Sequence, residues 1–196
     1  CTMRVNEIFY SIQGEGAHSG EAAIFLRLSG CNLRCHFCDT EHQPYQNLTE
    51  NEICDEIAKY PAHLVVITGG EPTLQLTRSL VDKIHDLRKM VAIETNGTRE
   101  VPSNVDWVTV SPKEAYVGSV GKPVIKTAQE VKIVLDGKTL YADPTWGITA
   151  AHYFVQPCDT GDEQRNREII EHCVNFIKAN PKWKLSLQIQ KILRVR

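Results

Sequence analysis

The stretch His63-Leu64-Val65-Val66-Ile67-Thr68-Gly69-Gly70-Glu71-Pro72 decides the fold. Five apolar or β-branched residues run without alternation, as in a strand covered on both faces, and the run ends in a glycine pair followed by a proline. Pro72 then opens a helical pattern with Leu76, Leu80, Ile84 and Leu87 on one face. Working outward, similar short runs lie at 22–29, 91–95, 106–111, 131–135, 153–156 and 185–188. Between some of them stand helical segments. Thr49 and Glu52 fit a capping box ahead of Ile53, Ile57 and Ala58, and a longer pattern at 163–179 carries Ile169, Ile170, Cys173, Phe176 and Ile177. Strands alternating with helices indicate an α/β fold with a parallel sheet. The segment 97–106 is too short and polar for a full helix, so the expectation is a partial, incomplete parallel β/α barrel of about six strands with reduced helices.

In such folds ligands gather at the carboxyl ends of the strands. The unusual residues fall there: Gly30-Cys31, Thr68 to Pro72, Glu94-Thr95-Asn96-Gly97-Thr98, Ser111-Pro112-Lys113, and Gln156-Pro157-Cys158-Asp159. Five polar or glycine-rich strand ends suggest one shared site.

The balance of the chain is globular: 196 residues, 42 % hydrophobic and 23 % charged, with no internal repeat or linker dividing it. The expectation is one domain over 1–196. The apolar runs are too short to cross a bilayer, and no N-terminal stretch combines the parts of a secretion signal. A formal net charge of −2, with the C-terminal basic residues interleaved among apolar ones, gives no basic footprint for nucleic acid. A soluble protein with neither membrane nor nucleic-acid partners is expected. Seven cysteines without a secretion signal point to a reducing, cytoplasmic setting, where clustered thiols more often bind metal than form disulfides.

Three of the seven lie within Cys31-Asn32-Leu33-Arg34-Cys35-His36-Phe37-Cys38. Soft thiolates suit zinc or iron–sulfur centres. Three ligands without an obvious fourth would leave one iron of a 4Fe–4S cube open to a small molecule. A structural zinc site completed by His36, His42 or Asp39 is the rival, although zinc modules usually show a second ligand pair, which is missing here. Cys54 and Cys173 lie on helical patterns and read as small buried hydrophobes. Arg27 stands mid-strand among apolar neighbours, where an unpaired charge is costly, so a carboxylate partner is expected: a substrate's, or an internal one such as Glu15.

The C-x3-C-x2-C spacing, with Gly69-Gly70-Glu71-Pro72 at a strand end, resembles the radical S-adenosylmethionine superfamily. The likeness sharpens to the 7-carboxy-7-deazaguanine synthase family through Asn6 to Gly16, Phe25 to Cys31, Cys38-Asp39-Thr40, Val65 to Pro72, Glu94 to Thr98, Val108 to Lys113 and Leu185 to Gln188. It runs from about Val5 to Arg194. The resemblance implies that Cys31, Cys35 and Cys38 hold a 4Fe–4S cluster and that S-adenosylmethionine chelates its open iron. It further implies ring contraction of 6-carboxy-5,6,7,8-tetrahydropterin to 7-carboxy-7-deazaguanine with loss of ammonia, on the way to queuosine.

By the same resemblance Ile12, Gln13, Gly14, Glu15, Arg27 and Thr68 bind the pterin, the first four within a short N-terminal substrate-binding extension. Phe37, Cys38, Asp39, Gly70, Glu71, Ser111, Pro112, Lys113, Gln156, Pro157, Cys158 and Asp159 contact S-adenosylmethionine, and Thr40 is a magnesium ligand. A homodimer and an external one-electron donor of flavodoxin or ferredoxin type are also implied. One departure stands out: Gln188-Ile189-Gln190-Lys191 replaces the Gln-Thr-His-Lys common in that family, removing an imidazole and a hydroxyl. An activase that takes hydrogen from a protein glycine would share the cysteines and the Gly-Gly-Glu-Pro motif, but does not explain Gln13, Arg27 and Thr40 together.

Overall fold

In the computed structural model, which describes residues 1–139 and 141–196, one nine-stranded sheet organises the chain. Its strands are β1 (Thr2–Ile12), β2 (Ala22–Leu28), β3 (Gln46–Thr49), β4 (Leu64–Gly69), β5 (Met90–Thr95), β6 (Trp107–Val110), β7 (Thr127–Leu135), β8 (Thr149–Pro157) and β9 (Trp183–Leu185). They are ordered β3-β1-β2-β4-β5-β6-β7-β8-β9. From β2 to β9 every neighbouring pair is parallel, while β1 joins β2, and β3 joins β1, antiparallel. The expected parallel body is therefore present as β2, β4, β5, β6, β7 and β8, extended by the three-residue β9. Among the described residues the ends of the sheet do not pair with each other, so the barrel is open.

The helices are α1 (Glu50–Ile57), α2 (Arg78–Asp86), α3 (Glu114–Val117), α4 (Glu163–Ala179) and α5 (Ile189–Leu193). The capping box holds: the Thr49 side chain accepts from the Glu52 amide, and the Glu52 carboxylate accepts from the Thr49 amide. The second helix differs from the sequence expectation. Pro72 opens only a 3-10 turn, Pro72–Leu74, and α2 starts at Arg78 with Thr77 as its N-cap. Leu76 is buried ahead of the helix, and Leu80 and Ile84 are buried on it, so the apolar stripe was real although its first turn is not α-helical.

Alternation along the strands separates two faces. Outward, Ile24, Leu26, Val65, Ile67, Val91 and Ile93 pack under Ile53 and Ile57 of α1 and Leu80, Val81 and Ile84 of α2. Val131, Ile133, Leu135 and Val155 pack under Ile169 and Cys173 of α4. Inward, the lower part of the sheet carries a small cluster of Ala23, Leu64, Val66 and Ala92, bordered by Phe25, Met90 and Trp107. Above it, the same parity brings a polar side chain from each of six parallel strands to one place: Arg27, Thr68, Glu94, Thr109, Lys132 and Gln156. Among the described residues no helix is long and apolar enough to cross a membrane.

The gap in the barrel is filled by residues 13–20, which leave β1 and turn into the concave face. The Gly16 amide donates to Ser186 Oγ at 3.0 Å and the Ala17 amide to Glu130 Oε2 at 3.0 Å. Gln156 Nε2 donates to Glu15 Oε1. The β1–β2 loop thus reaches β7, β8 and the segment after β9, which bends the open sheet around a chamber.

Candidate functional site

The chamber is a cavity of about 310 Å³ at the carboxyl ends of the parallel strands. All six inward polar residues line it, together with the three clustered cysteines, the 12–15 turn, and Gln188, Gln190 and Lys191 near the chain's end. The cysteine loop follows β2 directly. Its Asn32 is pinned on both sides, donating from Nδ2 to Thr98 Oγ1 at 2.9 Å and accepting from Asn96 Nδ2 at 3.0 Å. The Leu33 amide donates to Cys31 Sγ at 3.4 Å, and the Cys38 amide donates to the Cys35 carbonyl at 3.2 Å. Burial pushes the Cys31 and Cys35 thiols up from their ordinary range. Metal coordination reverses such a shift by deprotonating the thiol.

Among the described residues, no three His, Cys, Asp or Glu side chains already surround a common point at metal-binding distance. The donor set nonetheless fits an iron–sulfur cube: three thiols on one short loop line a cavity with room beside them for a ligand on a fourth iron. The zinc alternative fits less well, because two of the three proposed fourth ligands, His42 and Asp39, already hold polar partners. His42 Nδ1 accepts from the Gly30 amide at 3.3 Å, and His36 packs against Phe37 and Tyr116. Asp39 pairs with Lys191 at 3.4 Å.

The glycine pair has a structural cause visible in the fold. Gly69 has φ 133°, and a Cβ there would lie 2.0 Å from the Leu28 carbonyl; a Cβ on Gly70 would lie 2.1 Å from the Gly30 carbonyl. The end of β4 therefore presses against the chain leading to Cys31, and only glycine fits. Glu71 was expected to face the cofactor. It is instead 1 % exposed and absent from the cavity wall. Its carboxylate accepts from the Thr73 amide (3.1 Å), Thr73 Oγ1 (2.8 Å), Thr95 Oγ1 (2.6 Å) and the Asn96 amide (2.8 Å). The Glu71 carboxylate ties the loop after β4 to the end of β5, and Gly70 is the member of the motif that borders the cavity together with Gly69. Pro112 likewise lies off the wall, while Ser111 and Lys113 are on it. Lys113 Nζ donates to both the carbonyl and the hydroxyl of Ser111 at 2.8 and 2.6 Å, and burial lowers its pKa to about 8.

Within the protein, Arg27 pairs with Glu7 and not with Glu15. Its Nε sits 3.0 Å from Glu7 Oε1, and Arg196 shares the same carboxylate, whereas Glu15 lies with Lys132 and Gln156. Gln13 is buried, donates from Nε2 to Glu94 Oε1 at 3.3 Å and accepts from the Glu15 amide at 3.2 Å. Thr40 and Asp39 stand where the chamber meets an adjoining cleft lined by Asn6, Glu7, Glu41 and Gln43. Ile12, Gly14, Thr68, Phe37, Cys38, Gln156, Pro157, Cys158 and Asp159 all line the chamber.

Lys191 closes the rim by bridging Asp39 to Asp159, the latter at 3.1 Å. Hydrogen bonds from the Gly161 amide, Asn166 and Lys191 lower the Asp159 pKa to about 2. Sequence reasoning missed Lys132, Thr109 and Glu7, and gave Glu94 no role. The signal was available for Lys132, since a charge inside the run Val131 to Leu135 needs a partner as much as Arg27 does.

A half-open parallel barrel with three loop cysteines and a glycine-rich turn at its carboxyl rim is the architecture of a radical S-adenosylmethionine protein, and the Radical SAM superfamily model matches residues 26–116. The 7-carboxy-7-deazaguanine synthase of Bacteroides thetaiotaomicron is 45 % identical over 98 % of each chain. That of Neisseria meningitidis is 35 % identical over 96 % of this chain and 92 % of its own. The crystal structure of QueE from Escherichia coli superposes with a TM-score of 0.74 at 28 % identity, covering 95 % of this chain and 94 % of that one. Streptococcus suis SuiB, at 14 % identity and TM-score 0.50 over 79 % of this chain and 46 % of its own, shares the fold alone. The chain belongs to the 7-carboxy-7-deazaguanine synthase family. It is accordingly a radical enzyme dependent on an iron–sulfur cluster and S-adenosylmethionine. The activase alternative falls with that assignment.

Proposed function

We propose that the chamber is the place where the cluster, S-adenosylmethionine and 6-carboxy-5,6,7,8-tetrahydropterin meet, and that the ring contraction to 7-carboxy-7-deazaguanine with release of ammonia proceeds there. The observation that carries this is the sharing of one cavity by three loop thiols and six inward polar side chains. When bound, the reduced cluster and S-adenosylmethionine supply a carbon radical that abstracts hydrogen from the pterin. The protein's task is to hold, orient and shield.

Cys31, Cys35 and Cys38 take three irons. Phe37, Cys38, Asp39, Gly70, Ser111, Lys113 and the strand end Gln156 to Asp159 border S-adenosylmethionine, while Glu71 and Pro112 support that wall from behind. Ile12, Gln13, Gly14, Glu15, Arg27 and Thr68 face the pterin, with Gln13 and Glu15 offering acceptors to its N–H edge and Arg27 offering N–H donors to its carboxylate. Thr40 offers a hard oxygen at the junction of the two cavities, as magnesium requires. Residues 1–196 act as one radical SAM domain whose first strand and loop form the substrate-binding extension. A flavodoxin- or ferredoxin-type donor, a homodimer and a cytoplasmic location complete the reading.

The test is an anaerobic assay of reconstituted, reduced protein with S-adenosylmethionine, magnesium and the pterin, products being followed by chromatography and mass. Formation of 7-carboxy-7-deazaguanine is expected. Accumulation of 5′-deoxyadenosine alone would move the substrate assignment elsewhere.

A further inference from the structure

The floor of the chamber holds a charged group that none of the roles above uses. Lys132 points inward from β7, its side chain 6 % exposed. Its Nζ lies 3.5 Å from Glu94 Oε1 and 3.7 Å from Glu15 Oε1. Glu15 comes from the loop that fills the barrel gap and Glu94 from β5, so one ammonium joins two carboxylates carried by distant parts of the sheet. Glu130, on the same strand, faces the network and accepts from the Ala17 amide. Lys113, after β6, is the other cation nearby.

A buried ion pair of this kind adds little net stability, because desolvation cancels most of the attraction; a well-packed apolar residue serves a core as well or better. The ammonium therefore calls for a reason other than stability, and its location supplies one. Glu15, Glu94 and Lys132 all border the cavity. Two neighbouring carboxylates without a cation would share a proton, turning one from an acceptor into a donor. Burial pushes the Glu15 carboxyl up and Lys132 opposes that shift. Burial alone would lower the Lys132 pKa, but Glu15, Glu94 and Glu130 together outweigh it and raise it. The carboxylates thus hold the charge of the ammonium, and the ammonium limits a rise of the Glu15 carboxyl that burial still leaves above its ordinary value.

We propose that Lys132 is a positioning residue that holds Glu15 and Glu94 together as paired acceptors for the N–H donors of the bound pterin. The inference rests on the chamber being the pterin site. In a Lys132→Met variant nothing opposes the effect of burial on Glu15, which then keeps its proton to higher pH, and the site loses an acceptor. The variant should raise KM for the pterin by ~10-fold or more at pH 7, the equivalent of one protonation unit at one group. That increase should shrink as pH is raised from about 6.5 to 8.5, while the wild-type KM stays level across the same range. Quenching of 6-carboxypterin fluorescence by the protein, measured without turnover, should show the same pH-dependent loss of affinity.

A purely structural lysine predicts a lower melting temperature with an unchanged KM, or a raised KM that ignores pH; either result overturns the proposal. Should Lys132→Met fail to fold, Lys132→Met/Glu15→Gln, which removes one charge of each sign, replaces it. Its pterin affinity should be level with pH, and a pH-dependent affinity there overturns the proposal as well. Wild-type protein that converts no pterin would instead fail the site reading, whereas a converting wild type beside a Lys132→Met variant with the same affinity profile defeats this inference alone.

Discussion

The two sides of the chamber are held by different physics. On the side of the cysteine loop, Glu71 is buried behind the wall and its carboxylate is satisfied by two hydroxyls and two backbone amides, with no cation among those donors. On the floor, Lys132 balances Glu15 and Glu94 at the cavity surface through longer contacts. The first arrangement is closed around Oε1, which takes three donors, while Oε2 takes one. The second is open to the cavity and only partly saturated. A buried acid at a strand end is therefore not automatically a ligand contact; its remaining hydrogen-bonding capacity decides. Four neutral donors make Glu71 a fastening, and Glu94 keeps acceptor capacity because Gln13 at 3.3 Å and the ammonium are its only close partners among the described contacts.

The largest effect should come from the cysteine side. Cys35→Ala removes one of three soft ligands, so iron and sulfide content after anaerobic reconstitution should collapse and turnover vanish; an intact cluster in that variant would break the ligand assignment. Next, Glu71→Gln places an amide donor among donors. It should lower unfolding stability by ~2–4 kcal/mol, read by urea denaturation, whereas a stable variant with weakened S-adenosylmethionine binding alone would return Glu71 to the ligand wall.

The floor is probed by Gly14→Ala. A Cβ on Gly14 would sit 1.8 Å from Gln190 Oε1 and 2.8 Å from the Gln190 amide nitrogen, so α5 must shift. A loss of ~1–3 kcal/mol is expected in thermal unfolding, with a raised pterin KM; unchanged values would show that the contact between the turn and α5 is loose.

The smallest effect lies on the outer wall, away from both sides. Hydrogen bonds from Ser79 and Thr77 lower the Glu50 pKa to about 2 from 4.5. A carboxyl with a depressed folded-state pKa stabilises above its unfolded value and loses that contribution as pH falls through the folded one. Glu50→Gln should thus cost ~1–2 kcal/mol near pH 7, a gap that closes between about pH 4.5 and 2; a gap independent of pH would show that shape, not charge, is what matters there.

How much could be read beforehand follows the same division. Strands buried on both faces declare themselves, which is why Leu64 to Ile67 and Val131 to Leu135 were legible. The strand β1 was not, because a register shift between Val5 and Glu7 breaks its alternation, and β3 is four mostly polar residues at an edge. The polar starts of β7 and β8, Thr127 to Glu130 and Thr149 to His152, hid half of each strand. The cysteine loop and the glycine turn are local in sequence and came through as motifs. The floor is not local: Glu15, Glu94 and Lys132 meet only after the sheet curls. The loop bonds of Glu71 were not legible, because sequence shows a carboxylate at a strand end but not which way it faces.

The plug formed by residues 13–20 has a consequence for how the molecule is made. Its partners Glu130, Gln156 and Ser186 follow it by more than a hundred positions. Contacts of such separation form slowly, since a long stretch of chain must be closed before any of them is rewarded. Made well ahead of all three, this loop has no seat until the chain past Ser186 has emerged from the ribosome. The cysteine loop, Glu71 and Asn96 all precede those partners and can come together earlier. Maturation is thus ordered by chain position: the metal-holding rim can assemble before there is a floor to receive a substrate.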